Sequence, residues 1–370
     1  MEQAAKLLNR QYEIDLLRFL AAAAVVLYHY TFRAYGADNL SPIPYPTLGS
    51  VTRYGYLGVQ LFFIISGYVV LLSAQGKTVR EFFVSRVQRL YPAYWIAVTL
   101  TFVIERLWGT GPQDVLSAPL LYARAHQYVV NLTMLQEFLG IEHLDQAYWS
   151  LTVELSFYFI ISLLLAYKLM PHLNLSVGLW LVYAAVAPYL GGTGEAFSHL
   201  FFPQHAPLFI AGMLFFLMQR QSGRTWVRYG LLLVAYGLVL RNCRYEAVAH
   251  NVQEEVVMAL ATGFFVLIGL VAFGIINFSS QARLARLGAL TYPLYLLHGH
   301  IGYVVFHRLG HLLNKYVLLA GLLALMLLAA YLISTRLEKS LGRLLGQQVN
   351  GLLDYFAKFA ERSPRKVLSR

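Results

Sequence analysis

Charged residues are scarce in this sequence, whereas long uncharged stretches are common. Asp, Glu, Lys and Arg make up 13% of the 370 residues and apolar residues 58%, while soluble domains average about 25% charged residues. Because this composition recurs along the chain, it excludes a soluble domain with a single anchor. The single cysteine, Cys243, excludes an internal disulfide. The alternation of polar and apolar residues that a membrane β-barrel requires is missing as well.

Ten apolar stretches approach the roughly 20 residues that a helix needs to cross the hydrocarbon core. They lie at 15–35, 56–75, 90–107, 148–169, 174–191, 201–219, 226–242, 255–277, 289–308 and 315–335. The sequence therefore predicts an all-α polytopic membrane protein with about ten transmembrane helices. We expect a transmembrane domain over residues 1–337 and a basic amphipathic cytoplasmic tail over 338–370. No internal repeat suggests an inverted-repeat transporter.

Basic residues are distributed unevenly over the predicted loops. With the N-terminus inside, most of the 29 Lys and Arg residues fall on the inner side, including all of those from Arg336 onward. This bias predicts that both termini are cytoplasmic. The net charge of +11 is typical of cytoplasmic loops over anionic lipid, so membrane lipids are the expected neighbours and no nucleic-acid partner is expected.

The first predicted span carries two ionisable residues at membrane depth, Arg18 and His29. Such residues are costly there and usually face a pathway, a partner or a substrate. At about 100° and 1.5 Å per residue, eleven positions place both on one face, about 16 Å apart along the axis. That face can line an elongated anionic ligand site. The alternative is an arginine that snorkels to the headgroups and a histidine bonded to a neighbouring carbonyl.

Two arginines, Arg86 and Arg89, lie at the cytoplasmic start of the third predicted span, just before Tyr91 and Pro92. Pro92 suits the first turn of a helix, and arginines three positions apart share a face. Guanidinium groups at this boundary can hold lipid phosphate. They can equally hold a soluble phosphorylated cofactor, for which their fork of donors is well shaped.

Trp149, Ser150 and Glu154 lie where the chain enters the membrane from outside. Trp149 can anchor the interface, but helical rise places Glu154 about 7–9 Å deep, close to the depth of His29 in its own helix. A buried carboxylate and a buried imidazole at one depth form a natural pair, in which the acid orients and charges the base. We therefore predict that the two side chains approach within about 6 Å, close enough for a direct or one-water bridge.

Three further candidates lie near the middle of predicted spans. Ser66 belongs to the run GVQLFFIISG at 58–67, where small residues permit close approach of a helix or a ligand; helix packing is the simpler interpretation of its glycines. Tyr292 and His298 belong to the ninth span, and one contact to another helix would explain His298 alone. The histidine pairs that follow lack a nearby carboxylate in the sequence, so no metal site is expected.

In combination these motifs resemble acyltransferase family 3 of integral membrane O-acyltransferases. The matching elements run in order from Ile14 to about His298: an Arg and a His with ten residues between them, Gly-Val-x-Leu-Phe-Phe-x-Ile-Ser-Gly, Arg-x-x-Arg-Leu-Tyr-Pro, Trp-Ser-Leu-x-Val-Glu and Tyr-x-x-Tyr-Leu-x-His. The resemblance implies a stand-alone enzyme of the bacterial inner membrane without a fused esterase-like domain. It also implies transfer of an acyl group, usually acetyl, from cytoplasmic acyl-coenzyme A to a hydroxyl of a cell-envelope or exported saccharide, free or lipid-linked.

The resemblance assigns a role to each candidate residue. His29 is the general base or the acyl carrier, and Glu154 orients it. The residues expected to bind the donor are Arg18, Arg86, Arg89, Tyr91 and Ser66. Those expected to bind the acceptor or support the site are Trp149, Ser150, Tyr292 and His298. The alternative function is a proton-coupled carrier of an anionic or sugar substrate, in which the histidines and Glu154 relay protons and the arginines bind the anion.

Overall fold

The regular structure of the chain is helical throughout residues 12–111, 121–190, 195–220, 225–277 and 282–362, which are the residues that the computed structural model describes. The longer helices are α1 (Tyr12–Tyr28), α2 (Gly58–Ala74), α3 (Val79–Trp108), α4 (Trp149–Ala166), α5 (Leu173–Val186), α6 (Ala206–Gln219), α7 (Thr225–Ala249), α8 (Glu254–Ala272), α9 (Ala282–Leu297), α10 (Gly299–Leu309), α11 (Lys315–Leu332) and α12 (Glu338–Arg362). The all-α class is confirmed. Residues 1–11 and the end of the predicted tail, 363–370, lie outside the described residues.

Seven helical segments among the described residues are long and apolar enough to cross a membrane. They are Tyr12–Gly36, Pro46–Ala74, Gln146–Ala166, Met170–Tyr189, Phe197–Gln219, Glu254–Ala272 and Lys315–Phe359. This confirms a polytopic membrane protein. The predicted spans at 90–107, 226–242 and 289–308 are helical but are not among the seven, so the count of ten and the cytoplasmic termini stay predictions.

The first span is not a uniform α-helix. Beyond Tyr28 the chain makes a π-helical turn, His29–Arg33, before a last α-helical turn at Ala34–Gly36. A π-helical turn holds more residues per turn than an α-helix, and such turns are frequent at functional sites. Counting back from the outer end at α-helical rise therefore misjudges both the depth and the direction of His29.

The helix that carries Ser66 is fixed by a close crossing of α2 and α6. A β-carbon at Gly67 would lie 1.9 Å from the carbonyl oxygen of Phe209, and one at Gly212 would lie 1.9 Å from that of Ile64. Only glycine permits two helix backbones to approach this closely. The packing interpretation of Gly67 is confirmed, and this crossing holds its neighbour Ser66 in place.

The ninth predicted span, 289–308, is two helices and not one, because α9 ends at Leu297 and α10 begins at Gly299. In a continuous helix the backbone nitrogen of His300 would donate to the backbone oxygen of Leu296. Here each of these two atoms bonds to a side chain instead. The nitrogen of His300 donates to Oδ2 of Asp145 at 2.8 Å, and the oxygen of Leu296 accepts from the hydroxyl of Tyr148 at 3.2 Å. Side chains from the turn just before α4 thus interrupt the helix at His298.

The third predicted span begins earlier than expected. α3 starts at Val79, after a capping box of Thr78 and Glu81, so Pro92 lies well inside the helix and not in its first turn. Pro92 has no N–H to donate to the carbonyl of Gln88. α12 packs along this half of α3, where a β-carbon at Gly342 would lie 3.0 Å from that same carbonyl oxygen. The predicted amphipathic tail is therefore a helix that packs on α3.

Candidate active site

A narrow cavity of about 50 Å³ lies among α1, α2, α4 and α9. Aromatic and aliphatic side chains form part of its wall, including Phe62 and Phe63 of α2. Polar side chains from all four helices form the rest: Arg18, Ser66, Ser150, Glu154, Thr291, Tyr292 and Tyr295. The cavity thus brings together the predicted site residues Arg18, Ser66, Ser150, Glu154 and Tyr292.

The carboxylate of Glu154 is held from two helices. The hydroxyl of Ser66 donates to its Oε1 at 3.4 Å, and Tyr158, one turn further along α4, donates to the same oxygen. Glu154 also lies within electrostatic range of the Arg18 guanidinium, as does Arg89 of α3. Within the cavity Glu154 therefore faces a cation, which compensates a carboxylate at membrane depth.

His29 is oriented by its Nδ1 atom. Nδ1 lies 2.8 Å from the carbonyl oxygen of Val25 and 3.3 Å from Nε2 of His298. Because a carbonyl oxygen can only accept a hydrogen bond, Nδ1 carries the proton. In the neutral ring, Nε2 of His29 then keeps its lone pair, and it has no hydrogen-bond partner in the described part of the chain.

His298 is held in the complementary state. Its Nδ1 lies 2.6 Å from the carbonyl oxygen of Tyr295, so this nitrogen donates and Nε2 is left to accept from His29. The two imidazole rings meet edge to face, with centroids 4.8 Å apart. We call His29 and His298 the histidine dyad. The sequence could equally explain His298 by one contact to another helix. The structure shows that contact, and its partner is the candidate base His29.

No direct hydrogen bond or ion pair joins His29 to Glu154 among the described residues, and their approach within about 6 Å stays a prediction. The hydrogen bonds and ion pairs of the described residues join His29 to Val25 and His298, and join Glu154 to Ser66 and Tyr158. Helical rise gave similar depths for the two residues, but it contains no information about which neighbour each side chain faces. Arg18 likewise shares its cavity with Glu154 and not with His29.

Tyr295 lies between the dyad and the cavity. Its ring lies 5.4 Å from that of His298, while its hydroxyl lines the cavity and bonds to the hydroxyl of Ser150 at 2.7 Å. Sequence reasoning did not select Tyr295 or Tyr158 as site residues. A signal was present in both cases, because Tyr295 precedes His298 by three residues and Tyr158 follows Glu154 by four, the spacings that share a helix face.

Arg86 and Arg89 point in different directions from α3. The guanidinium of Arg89 lies 5.7 Å from the ring centre of Tyr292 and pairs with the carboxylate of Glu338. That of Arg86 lies 5.4 Å from the ring centre of Tyr158. Both arginines thus reach aromatic residues next to Arg18 and Glu154, although they do not line the cavity itself.

Tyr91 and Trp149 do not line this cavity. The hydroxyl of Tyr91 donates to the carbonyl of Thr133 at 2.9 Å, which ties α3 to the segment between α3 and α4. The indole of Trp149 packs against the ring of His205, with centroids 5.2 Å apart. Their predicted roles in donor binding and acceptor binding receive no support from these contacts.

A second histidine site, around His300, lies next to the dyad. His300 Nδ1 lies 2.7 Å from Oε1 of Glu105, and its Nε2 accepts from the backbone N–H of Gln146 at 3.3 Å. With Asp145, which binds the backbone of His300, these residues form what we call the His300 cluster. Sequence reasoning missed the carboxylate of Glu105, yet no group of three or more potential ligands in the described residues is arranged to hold a metal ion.

The order of these motifs along α1, α2, α3, α4 and α9 agrees with a known family. A family model described as an acyltransferase domain matches residues 11–335, which is most of the chain. This chain belongs to the acyltransferase-3 family of membrane proteins. The resemblance seen in the motifs is thereby confirmed, and the family is one of acyltransferases.

The chain is similar to several curated proteins. BcsY of Komagataeibacter xylinus, provisionally named a membrane-bound transacylase, is 25% identical over 344 residues, 90% of this chain and 83% of that protein. The peptidoglycan O-acetyltransferase OatA of Listeria monocytogenes is 26% identical over 170 residues, 41% of this chain and 24% of the relative. The O-acetyltransferase OatA of Staphylococcus aureus is 31% identical over 169 residues, 42% of this chain and 25% of the relative.

The matched portions differ in extent. The match spans about a quarter of the length of either OatA protein but most of BcsY. No solved structure matches the chain. Family membership therefore rests on sequence, and the arrangement of the site rests on the contacts described above.

Proposed function

We propose that this chain is an inner-membrane O-acyltransferase that moves an acyl group, in the first instance acetyl, from cytoplasmic acyl-coenzyme A to a hydroxyl of a cell-envelope or exported saccharide. Membership of an acyltransferase family favours an enzyme over the alternative of a proton-coupled carrier. The names of the OatA relatives, O-acetyltransferases of which one acts on peptidoglycan, support a saccharide acceptor.

The observation that carries the proposal is the free Nε2 lone pair of His29. The Val25 carbonyl and His298 both engage Nδ1, which fixes the tautomer and leaves Nε2 as the basic atom. A general base needs a lone pair within hydrogen-bond reach of the proton that it removes. His29 is also partly exposed, whereas its neighbours Tyr28 and Tyr30 are buried.

In the proposed step, Nε2 of His29 takes the proton from the acceptor hydroxyl as its oxygen attacks the thioester carbonyl. The carbon–sulfur bond breaks, the ester carbon–oxygen bond forms, and the coenzyme A thiolate leaves. The imidazolium then returns the proton to that thiolate, so the base is regenerated. The carbonyls of Val25 and Tyr295 keep the dyad aligned while the charge is present. A covalent route through an acylated His29 uses the same lone pair.

The cavity beside the dyad supplies the electrostatic part of the proposal. Arg18 brings a cation to a membrane-depth cavity lined by Ser66, Ser150 and Tyr295. Donors preorganised around a developing oxyanion stabilise the transition state of acyl transfer. In this role Glu154 balances the charge of Arg18 and does not serve as the partner of His29.

Transfer can be tested with the purified full chain in vesicles, by adding acetyl-coenzyme A labelled in the acetyl group outside and peptidoglycan fragments on either side. We expect the label to appear in base-labile esters on the saccharide, with release of one free thiol per ester formed. If the donor or the saccharide crosses the membrane unchanged and no ester forms, the chain is a carrier and not an acyltransferase. The side on which fragments are acylated reports the face to which the acceptor site opens.

A further inference from the structure

A second, larger depression lies at the junction of α3 and α12. Its volume is about 560 Å³, and its lining includes Ser85, Gln88 and Arg89 of α3 and Glu338, Lys339 and Arg343 of α12. It is therefore built from two segments far apart in sequence. The part contributed by α12 lies beyond residue 335, where the match to the family ends.

Two of the cations in this depression have no carboxylate partner in the described residues. Lys339 and Arg343 are exposed, and the hydrogen bond of Arg343 is made to the backbone oxygen of Lys339 at 3.4 Å. Being four residues apart, they lie on one face of α12. Their charges accordingly converge on the same depression as that of Arg89, and such a group of cations suits a ligand with several phosphates.

Arg89 contacts both the depression and a residue of the inner cavity. The same guanidinium that lines the depression lies 5.7 Å from the ring centre of Tyr292, a residue of the inner cavity. Arg89 also lies within electrostatic range of Arg18. Arg89 therefore lies between the cations of α12 and the inner cavity, which Arg18, Glu154 and Tyr292 line.

A carboxylate of the chain itself occupies the inner end of this depression. Glu338 pairs with Arg89, and the side chain of Glu338 is only 12% exposed while that of Arg89 is 33% exposed. A phosphate group would bind Arg89 in the same way as this carboxylate does, through charge-assisted hydrogen bonds. Glu338 thus stands where an anionic ligand of Arg89 would be.

The helix that carries these residues is held firmly against α3. Arg80 binds Asp354 at 2.5 Å and Asn350 at 3.0 Å. Near the depression, a β-carbon at Gly342 would lie 3.0 Å from the backbone oxygen of Gln88, so the two helices are closely packed there. The position of Lys339 and Arg343 relative to Arg89 is therefore set by packing, not by a free tail.

We propose that α12 completes the binding site for the phosphorylated nucleotide end of the acyl donor, with Lys339 and Arg343 joining Arg89, and that Glu338 occupies the phosphate position until the donor displaces it. This inference rests on the proposed function, because it takes acyl-coenzyme A as the donor. It adds two binding residues and one competing carboxylate from a helix outside the matched family region.

Anionic lipid headgroups offer the same phosphate chemistry, so the test must separate the two sources. The full chain is purified in a neutral detergent without anionic lipid, and calorimetry measures its binding of coenzyme A and of 3′-dephospho-coenzyme A. Binding to vesicles of phosphatidylcholine with and without phosphatidylglycerol is measured in parallel. The variants are Lys339→Gln, Arg343→Gln and the double variant.

Lys358→Gln serves as the matched control. It removes one positive charge from the same helix, at an exposed position about 22 Å beyond Arg343 by helical rise. If the inference holds, each single variant weakens coenzyme A binding about threefold and the double variant about tenfold. The double variant also loses the preference for coenzyme A over its 3′-dephospho form, whereas Lys358→Gln changes neither value.

The contrary outcomes are distinct. If the wild-type chain binds coenzyme A and the double variant keeps both the affinity and the preference, the inference fails while the proposed function stands. If only the binding to phosphatidylglycerol vesicles changes, Lys339 and Arg343 are lipid contacts and the inference fails. If the wild-type chain does not bind coenzyme A at all, the donor in the proposed function is wrong, and this inference falls with it.

Glu338→Gln tests the competing carboxylate. Removing its charge should tighten coenzyme A binding about threefold, because the phosphate no longer displaces an ion pair. If Glu338 served only to attach α12 to α3, the variant would melt at a lower temperature and bind coenzyme A no more tightly. That result would overturn the competing role.

Discussion

His29 and His300 lie at the ends of neighbouring helices, yet their ring nitrogens are used differently. Both nitrogens of His300 are engaged, Nδ1 by Glu105 and Nε2 by the backbone of Gln146. His29 engages Nδ1 alone and keeps Nε2 free within the described part of the chain. A histidine with two partners holds elements together, whereas one with a free lone pair can exchange a proton.

The difference shows how one short segment, His298 to His300, can both hold helices together and orient the candidate base. His298 and His300 are two residues apart, His298 at the break between α9 and α10 and His300 just after it. His300 fastens that break to the turn just before α4 through Asp145, and His298 uses the resulting position to orient His29. The cluster thus supports the dyad without sharing its chemistry.

The largest expected effect is on the dyad itself. His29→Ala should reduce acyl transfer about 10² to 10⁴-fold, the usual consequence of losing a general base, while coenzyme A binding and the melting temperature stay near wild type. Turnover is measured on the purified chain, with His311→Ala, an exposed histidine, as the control. Retention of more than about half of wild-type turnover would mean that His29 is not the base.

A smaller loss is expected at His298, which we consider a positioning residue. His298→Ala should lower kcat roughly 10 to 100-fold with little change in either KM, because His29 loses the acceptor that helps fix its tautomer. His298→Gln should restore part of the rate, since its amide oxygen can accept from Nδ1 of His29. A rate loss equal in both variants, with an unchanged pH profile of kcat, would assign His298 to packing.

Glu105→Ala should lower stability without lowering the rate of acyl transfer. It leaves the buried Nδ1–H of His300 without its acceptor, which costs about 2 kcal/mol in the free energy of unfolding, and we expect a lower melting temperature. The kcat per folded molecule should remain within about twofold of wild type. If kcat fell as far as it does in His298→Ala, the two sites would be one functional unit and the comparison would fail.

The sequence predicted most helices because long apolar stretches are a local signal. It also predicted that Arg18, Ser66, Ser150, Glu154 and Tyr292 belong to one site, and they share a cavity. What it could not give is direction across the bundle. His29 and Glu154 were paired by depth alone, and the structure turns His29 toward His298 instead.

The break at His298 lay beyond sequence reasoning for a related reason. Its causes, Asp145 and Tyr148, are about 150 residues earlier in the chain. Glu105 is 195 positions from His300, and no local pattern joins them. Periodicity reports which residues share a face of one helix, while such long-range hydrogen bonds depend on how the helices pack.

The smallest effect is expected at His143, another histidine that has both ring nitrogens engaged. In the segment between α3 and α4, His143 Nδ1 lies 2.8 Å from Nε2 of Gln136, and its Nε2 lies 3.2 Å from Oε2 of Glu137. The hydrogen bond from His143 lowers the pKa of Glu137. Unlike Glu105, this carboxylate is 32% exposed, so solvent screens the pair and its contribution is about 0.5 kcal/mol.

The sign of the pH dependence follows from that lowered pKa. The stabilisation is complete above the unfolded pKa of glutamate, about 4.3, and is lost as the pH falls through the lower pKa of the folded state. Glu137→Gln should therefore melt about 1 °C below wild type near pH 6, and the two melting curves should converge near pH 3. A melting difference as large as that of Glu105→Ala, or one that grows as the pH falls, would contradict the comparison. The exposed pair of His143 and Glu137 would then contribute as much stability as the buried pair of His300 and Glu105.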